Sequence, residues 1–214
     1  MLVSYRSWLL ACLTACCAAA APAATLHGSV VRIVDGDTIT VADGRHRKVK
    51  VRLSAIDAPE KQQAFGRQAS TNLALLLLSR PVEVEWDKRD AYGRVVGRVR
   101  VAPPACANCG RTYDAGLAQV GAGYAWWYRS ESRELSQEDK ARYALAENAA
   151  RTRHLGLWVA PQPVPPWQWR HSQAQTGNSA TLLVRTGARI KQAKRIVLHP
   201  ARSMRRWVTL AASR

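Results

Sequence analysis

Alternating apolar and polar residues between His27 and Leu53 predict three short β-strands. The runs are rich in Val, Ile and Thr, and they are separated by Asp35-Gly36-Asp37 and by residues 42–45. The second break contains the Asp-Gly pair that is typical of a β-hairpin. Two further alternating runs, at 82–87 and 94–101, bring the total to about five strands.

Apolar residues at helical spacing predict three helices. The first covers about 66–79 and stops before Pro81, and the second covers about 114–121. The third, at about 136–156, opens with a serine and an aspartate spaced as in a capping box. Five strands and about three α-helices predict a mainly β, mixed α+β domain at 24–170, a five-stranded Greek-key barrel of the OB type.

The C-terminal third of the chain departs from this regular pattern. Residues 155–170 are punctuated by prolines, so we expect neither a helix nor a central strand there. We expect their tryptophans to lie across the surface of the domain as a clasp. After Arg170 a polar linker leads into a basic stretch, which predicts a flexible extension at 171–214.

The first 23 residues have the layout of a secretory signal peptide, with one arginine, an apolar run and then small residues. Cleavage after Ala23 predicts a secreted or periplasmic protein. Alternatively, residues 13–16 form a lipoprotein cleavage box, which would leave Cys16 lipidated and the protein attached to a membrane.

Only Cys106 and Cys109 lie outside the predicted signal peptide, and we expect them to form a local disulfide in an oxidising compartment. A redox-active pair and half of a zinc site are the alternatives. No further cysteine or close histidine completes four zinc ligands, which favours the disulfide.

The formal net charge of +17 favours a polyanionic partner. Residues 171–214 contain nine Lys or Arg and no acid, and residues 24–170 contain 22 basic against 15 acidic residues. Nucleic acid is the first candidate partner and an anionic membrane surface is the second. Charge that only keeps the protein soluble is the competing interpretation.

Polar side chains at the predicted strand ends can be combined into one chemical site. Asp37 and Asp57, with a backbone carbonyl beside the latter, are suitable ligands for a hard cation such as Ca²⁺. Glu60 could activate a water, and Arg52 and Arg94 could bind a phosphate and stabilise charge in the transition state. Each motif alone is more often structural than catalytic, so their joint presence carries the hypothesis.

The order of these motifs resembles the staphylococcal nuclease family. The stretches that carry the resemblance are VVRIVDGDTI, VRLSAIDAPE, FGRQAS, VEVEWDKRDAYGR, GYAWWY, GLW and PPWQWR, which together cover most of residues 27–170. The resemblance implies an OB-fold barrel with three helices. It also implies a Ca²⁺-dependent nuclease that cuts DNA and RNA by attack of water at phosphorus.

The family's functional residues carry over to individual positions of this sequence. The resemblance implies calcium ligands at Asp37, Asp57 and the Ala58 carbonyl, with Asp35 behind them. It implies a general base at Glu60 and phosphate-binding arginines at Arg52 and Arg94. Tyr92 matches a tyrosine beside the nucleotide.

Some positions depart from the family pattern. Ala91 stands where the type member has lysine, and the loop at about 61–65 is shorter. The tyrosine that stacks on the base has only a loose counterpart in Tyr128 or Trp127. These departures bear on nucleotide preference and affinity rather than on hydrolysis.

The expected partners are DNA and RNA substrates, with no obligate protein partner and a monomeric state. Membrane contact is expected only through a lipidated Cys16 or the basic extension. The alternative function is a non-catalytic OB-fold protein that binds nucleic acid, because a fold alone does not determine function.

Overall fold

The computed structural model describes residues 24–175 except Ala107 and Glu134. The predicted signal peptide at 1–23, the lipidation alternative at Cys16 and most of the predicted basic extension lie outside the described residues. The described residues therefore correspond to the predicted OB-type domain at 24–170 and the first few residues after it.

Five strands close into a barrel, as the alternating pattern predicts. The strands of the molecule are β1 (Ala24–Ile33), β2 (Thr38–Asp43), β3 (Lys48–Leu53), β4 (Ile56–Asp57), β5 (Pro81–Arg89), β6 (Val95–Val101), β7 (Tyr113–Asp114) and β8 (Trp126–Trp127). In the large sheet the order is β3-β2-β1-β5-β6-β7, and a parallel pairing of β3 with β6 closes the barrel. The short strands β4 and β8 pair with each other beside it.

Branched aliphatic side chains fill the barrel because every second residue of each strand points inward. The inward set is fully buried and includes Val30, Ile39, Val41, Val51, Val82, Val84, Val99 and Val101. Register shifts between Val30 and Arg32 in β1, and between Trp86 and Lys88 in β5, mark bulges that let the strands bend around the barrel. Burial of this apolar surface is the main force that holds the strands together.

Three helices follow the predicted positions closely. They are α1 (Gly66–Leu77), α2 (Ala115–Gly121) and α3 (Gln137–Thr152). The Asp114 carboxylate caps α2 by accepting hydrogen bonds from two backbone N–H groups, and the Ser136 hydroxyl caps α3 by accepting one from Asp139. Helix α3 ends earlier than predicted, and the chain then turns through positive φ angles at His154 and Gly156.

The prediction that 155–170 contains no helix was wrong. A 3-10 turn covers Gly156–Val159, and a fourth helix, α4, covers 166–175, five residues past the predicted domain boundary. Pro166 is the first helical residue, a position where the N–H group that proline lacks would have no partner within the helix. The Trp169 N–H donates to the carbonyl of Pro165 at 3.0 Å. The prolines therefore start the helix instead of preventing it.

The tryptophans of the C-terminal region form the predicted clasp. The ring of Trp167 in α4 lies 6.3 Å from that of Trp126 and 5.4 Å from that of Tyr128. Trp158 also packs edge-on against Trp126, with ring centroids 5.3 Å apart. These contacts fix α4 against strand β8 and the end of the barrel.

Cys106 and Cys109 form a disulfide in the loop that follows β6, as predicted. Among the described residues, no helix is both long and apolar enough to cross a membrane.

Candidate active site

A cleft of about 580 Å³ opens at one end of the barrel. Its walls come from the ends of β1 and β3, the start of β2, the β4 segment, the β5–β6 turn and helix α4. The lining residues with polar side chains are Asp35, Asp37, Thr38, Lys50, Arg52, Asp57, Glu60, Asp90, Tyr92, Arg94, Tyr128, Glu131 and Arg170. Strand ends that are far apart in sequence thus deliver their polar residues to one place.

The β1–β2 turn places Asp37 against the β4 segment. The Ala58 N–H donates to Oδ2 of Asp37 at 3.1 Å, which holds the two segments together. Gly36 allows this approach, because a Cβ atom there would lie 2.7 Å from the Cβ atoms of both Ala58 and Ala69. The Asp-Gly-Asp turn is therefore dictated by close packing as well as by turn chemistry.

Strand β3 carries Arg52 to the same point. Arg52 stands opposite Thr38 in the β2–β3 register, one residue from Asp37. Beyond β3, the buried Ala55 adopts a φ of 62°, a conformation that non-glycine residues rarely take. This reversal brings Asp57 back beside Arg52.

Acids and arginines alternate across the floor of the cleft. Arg52 bridges Asp37, at 2.9 Å, and Asp57, at 3.6 Å. Arg170 of α4 bridges Asp57 and Glu60, each at 2.8 Å. These five residues, Asp37, Arg52, Asp57, Arg170 and Glu60, are called the cleft cluster below.

Arg94 enters the cleft just before β6, the strand that pairs with β3. Its Nε donates to Asp90 at 2.6 Å, and its Nη1 donates to the Thr38 hydroxyl at 3.3 Å. The exposed ring of Tyr92 lies 5.5 Å from its guanidinium. The turn is tightened by Gly93, which adopts a φ of 75°. Arg94 is thus oriented but has N–H groups available to a ligand.

Burial destabilises the charged carboxylates of the cleft. It raises the pKa of Asp35 to about 6, helped by the nearby charge of Asp37. Burial also raises the pKa of Asp57, although hydrogen bonds from Arg170 oppose the shift. Burial by itself would lower the pKa of Arg52, but the neighbouring carboxylates outweigh it, so this arginine remains charged.

The cleft holds more acids than bases. Six acidic and four basic side chains line it, a formal charge of −2 in a chain whose net charge is +17. Among the described residues, Oε2 of Glu131 is buried and has no hydrogen-bond partner; its nearest cation there is Arg52, at 3.6 Å. A buried carboxylate oxygen without a donor is costly, so the cleft is suited to a further cation.

The donor chemistry fits a hard cation such as Ca²⁺. Every potential ligand in the cleft is an oxygen, and neither His nor Cys is among its described lining residues. Within the described part of the chain, no three His, Cys, Asp or Glu residues form a ready-made metal cluster. In the cleft cluster the acids are bound by guanidinium groups instead.

The structure brings most of the predicted site residues together. Those that line the cleft are Asp35, Asp37, Arg52, Asp57, Ala58, Glu60, Tyr92, Arg94 and Tyr128. Of the two stacking candidates, only Tyr128 lines it; Trp127 packs under the Arg129 guanidinium at 4.4 Å. The disulfide residues Cys106 and Cys109 do not line it.

Five polar residues of the cleft were not identified as site residues from the sequence: Thr38, Lys50, Asp90, Glu131 and Arg170. Arg170 ends the PPWQWR stretch, and the proline pair that precedes it is a helix-start signal that could have placed it on a helix. Glu131 lies in a single 3-10 turn, Arg129–Glu131, for which the sequence offers no specific signal.

Comparison with known proteins agrees with this geometry. The sequence profile of the family described as "Staphylococcal nuclease homologue" matches residues 50–160. "Protein ParB" of Escherichia coli is 40% identical over 168 residues, which cover 78% of this chain and 92% of that protein. An "Uncharacterized endonuclease" of Escherichia coli is 40% identical over 69% of this chain and 87% of its own. "Micrococcal nuclease" of Shigella flexneri is 38% identical over 72% of this chain and 86% of its own.

The matched residues include β4, Glu60 and Arg94, and the barrel has the five closed strands and helices of an OB fold. Since the family profile spans half of the chain and the relatives are covered over most of their length, the chain belongs to the staphylococcal nuclease family.

Proposed function

We propose that this member of the family is a Ca²⁺-dependent endonuclease that hydrolyses phosphodiester bonds of DNA and RNA. As a nuclease-family protein it is a phosphodiester hydrolase of nucleic acids, and the metal, the substrate range and the residue roles are the finer proposal. The observation that carries it is the cleft, which has a charge of −2 within a strongly basic chain and arginines on two walls.

Asp37, Asp57 and the carbonyl of Ala58 are the residues that would hold Ca²⁺. A bound Ca²⁺ supplies positive charge to the phosphate oxygens as negative charge develops on them. Asp37 and Asp57 are both buried, at 7% and 1% exposure, so they lie in a medium where their attraction for a cation is strong. Asp35 accepts a hydrogen bond from the Asp37 N–H and supports the turn behind them.

Glu60 is the proposed general base. It lies at the mouth of the cleft with its carboxylate partly exposed, so a water can reach it. Its backbone is fixed, because its N–H donates to the Gln63 side chain and its carbonyl accepts from the Gln63 N–H at 2.8 Å. A base held in this way can remove a proton from a water that attacks the phosphorus.

Arg52 and Arg94 are the proposed phosphate ligands. They reach the cleft from adjacent strands, β3 and β6, where Arg52 donates to Asp37 at 2.9 Å and Arg94 donates to the neighbouring Thr38 hydroxyl at 3.3 Å. Two guanidinium groups can bind phosphate oxygens with paired hydrogen bonds and stabilise the extra charge of the pentacoordinate transition state. Tyr92 and Tyr128 offer aromatic surface for the sugar or base beside them.

The proposed place of action is outside the cytoplasm, after removal of residues 1–23. The arrangement of residues at the N-terminus and the Cys106–Cys109 disulfide support this proposal, since disulfides persist in oxidising compartments.

The direct test is cleavage of a single-stranded DNA oligonucleotide and an RNA of the same sequence by the purified protein. We expect both to be cut with Ca²⁺ and neither to be cut with excess EGTA. Binding of the oligonucleotide that persists in EGTA, without cleavage under either condition, would instead support the non-catalytic alternative.

A further inference from the structure

Arg170 makes more hydrogen bonds to carboxylates than Arg52 does in the cleft cluster. Its Nη2 donates to Oδ2 of Asp57 at 2.8 Å, and its Nη1 donates to Oδ1 of Asp57 at 3.2 Å and to Glu60 at 2.8 Å. One guanidinium thus donates hydrogen bonds to both oxygens of Asp57 and to one of Glu60. Asp57 is a proposed metal ligand, and Glu60 is the proposed base.

Asp57 requires a cation in this position. Its side chain is 1% exposed, so its charge is not compensated by water and depends on neighbouring cations. The Arg52 Nη2 atom lies 3.6 Å from Oδ1 of Asp57, and the same guanidinium also contacts Asp37 and Glu131. Arg170 therefore provides most of the hydrogen bonding to this carboxylate.

The two arginines that bind Asp57 differ in their freedom to move. The side chain of Arg52 is 9% exposed and comes from a central barrel strand, so it cannot leave without unfolding its surroundings. The side chain of Arg170 is 44% exposed and comes from a surface helix. It can move into solvent without disturbing the barrel when another cation takes its place at Asp57, because a hydrated guanidinium is stable in water.

Helix α4 is built to hold Arg170 over the cleft. Trp167 and Arg170 are three residues apart and share one helical face. The ring of Trp167 packs on Tyr128, which itself lines the cleft. The loop of Glu60 is joined to the start of α4, because the Gln63 side chain donates to the carbonyl of Val164 at 2.6 Å.

We propose that Arg170 is a resident counter-cation of Asp57 and Glu60, which Ca²⁺ displaces when it binds, so that α4 sets the Ca²⁺ concentration at which the site loads. The proposal rests on the Ca²⁺-dependent function proposed above. Arg170 donates to both oxygens of Asp57, so a Ca²⁺ ion that binds one of them must replace at least one of these hydrogen bonds, and its double charge repels the guanidinium. Because such coupling is reciprocal, Ca²⁺ also weakens the attachment of α4 to the barrel.

Isothermal titration of the full chain with Ca²⁺ alone tests the competition. Compared with wild type, R170Q should bind Ca²⁺ about tenfold more tightly, since the cation no longer replaces charge-assisted hydrogen bonds. R170K keeps the charge but loses the two-pronged geometry, and its affinity should fall between the two. K50Q is the matched control, because Lys50 lines the same cleft and neither Asp57 nor Glu60 is among its described partners.

The result that overturns the proposal is an R170Q affinity equal to or weaker than that of wild type. Equal tightening in K50Q would also overturn it, because the effect would then reflect general charge and not contact with Asp57. If wild-type protein binds no Ca²⁺, the proposed function fails as well, so the two failures are distinguishable.

Hydrogen exchange provides a second readout that does not depend on cleavage. Amides of residues 166–175 should exchange faster in wild-type protein when Ca²⁺ is added. In R170Q they should exchange fast already and respond little to Ca²⁺. Unchanged exchange of α4 in wild type on Ca²⁺ binding contradicts displacement of Arg170.

Discussion

Two of the clusters of acids and arginines in the described residues differ in how their charges are satisfied. One is the cleft cluster. The other joins strand β6 to helices α2 and α3 and is called the interhelix cluster; it consists of Arg98, Asp114, Asp139 and Tyr143. The same residue types occur in both, so composition does not distinguish them.

In the interhelix cluster every carboxylate has well-placed donors. Asp114 accepts from the backbone N–H groups of Gly116 and Leu117, at 2.9 and 3.1 Å, and from the Tyr143 hydroxyl at 3.2 Å. Arg98 donates to Asp139 at 2.7 Å. Partial burial alone would raise the pKa of Asp139, but hydrogen bonds from Arg98 and the Ser136 hydroxyl lower it. These groups stabilise the folded state.

In the cleft cluster and its surroundings the balance is reversed. Burial raises the pKa of Asp35 and of Asp57, and Oε2 of Glu131 has no donor within the described part of the chain. The cleft is open, whereas the carboxylate of Asp114 is enclosed between α2 and α3. Buried acids that are incompletely neutralised and reachable from solvent are typical of binding and catalytic sites.

The largest expected difference between the two clusters is in catalysis. D57N should slow cleavage of single-stranded DNA in Ca²⁺ by about a thousandfold, because it removes a proposed ligand of the Ca²⁺ ion whose charge stabilises the transition state. D114A should cut within a few-fold of the wild-type rate, measured at a temperature where it is folded. Initial rates on a labelled oligonucleotide provide the comparison, and comparable losses in both variants would erase the proposed distinction.

Stability should show the opposite order. D114A should lose about 3 kcal/mol of unfolding free energy, because it removes the α2 cap and leaves the buried Tyr143 hydroxyl without an acceptor. Metal-free D57N should change by no more than about 1 kcal/mol, because it also removes the cost of a buried charge. Urea unfolding in EGTA measures both, and a D57N loss as large as that of D114A argues that the cleft acids are structural.

Ca²⁺ should stabilise the protein through the cleft alone. At a free Ca²⁺ concentration of one hundred times Kd, the expected gain is about 2.7 kcal/mol. D114A should gain the same amount from its lower starting point, and D57N should gain almost nothing. Urea unfolding at graded Ca²⁺ concentrations gives these values; a full gain in D57N would mean that Ca²⁺ binds elsewhere.

The smallest expected effect is the pH dependence of the interhelix cluster. Because the pKa of Asp139 is lower when folded than its ordinary value of 3.8, its contribution is complete above that value and disappears as pH falls through the folded pKa. D139N should therefore cost about 1 kcal/mol at pH 7 and progressively less as the pH falls below 3.8. E138Q, in the same helical turn, is the control for the helix dipole. A D139N cost that persists unchanged at low pH would exclude the ion pair as its cause.

Local patterns were sufficient to predict the barrel and most of the cleft. The alternation in β2, β3 and β6 predicts which side chains enter the core and on which face of the strand each site residue lies. This follows because successive side chains of a strand point to opposite faces. The Asp-Gly-Asp turn and the β4 segment are short and rigid, so their acids stay close to positions defined by the chain.

The contribution of α4 could not be predicted in the same way. Arg170 is 110 residues from Glu60, and their contact depends on packing of Trp167 against aromatic residues near β8. The prolines before α4 were interpreted as breakers although they occupy its start. Glu131 likewise enters the cleft through tertiary structure, from a turn with no distinctive sequence.

The proposed hydrolysis depends most directly on Glu60 acting as the base in a Ca²⁺-loaded site. The decisive measurement is single-turnover cleavage of a single-stranded DNA oligonucleotide in saturating Ca²⁺ by wild-type protein and E60Q. Circular dichroism and Ca²⁺ titration should first establish that E60Q is folded and still binds the ion. We predict that E60Q cuts 10² to 10⁴ times more slowly, on the order of what a general base contributes. Cleavage by folded, Ca²⁺-bound E60Q at the wild-type rate would contradict the account.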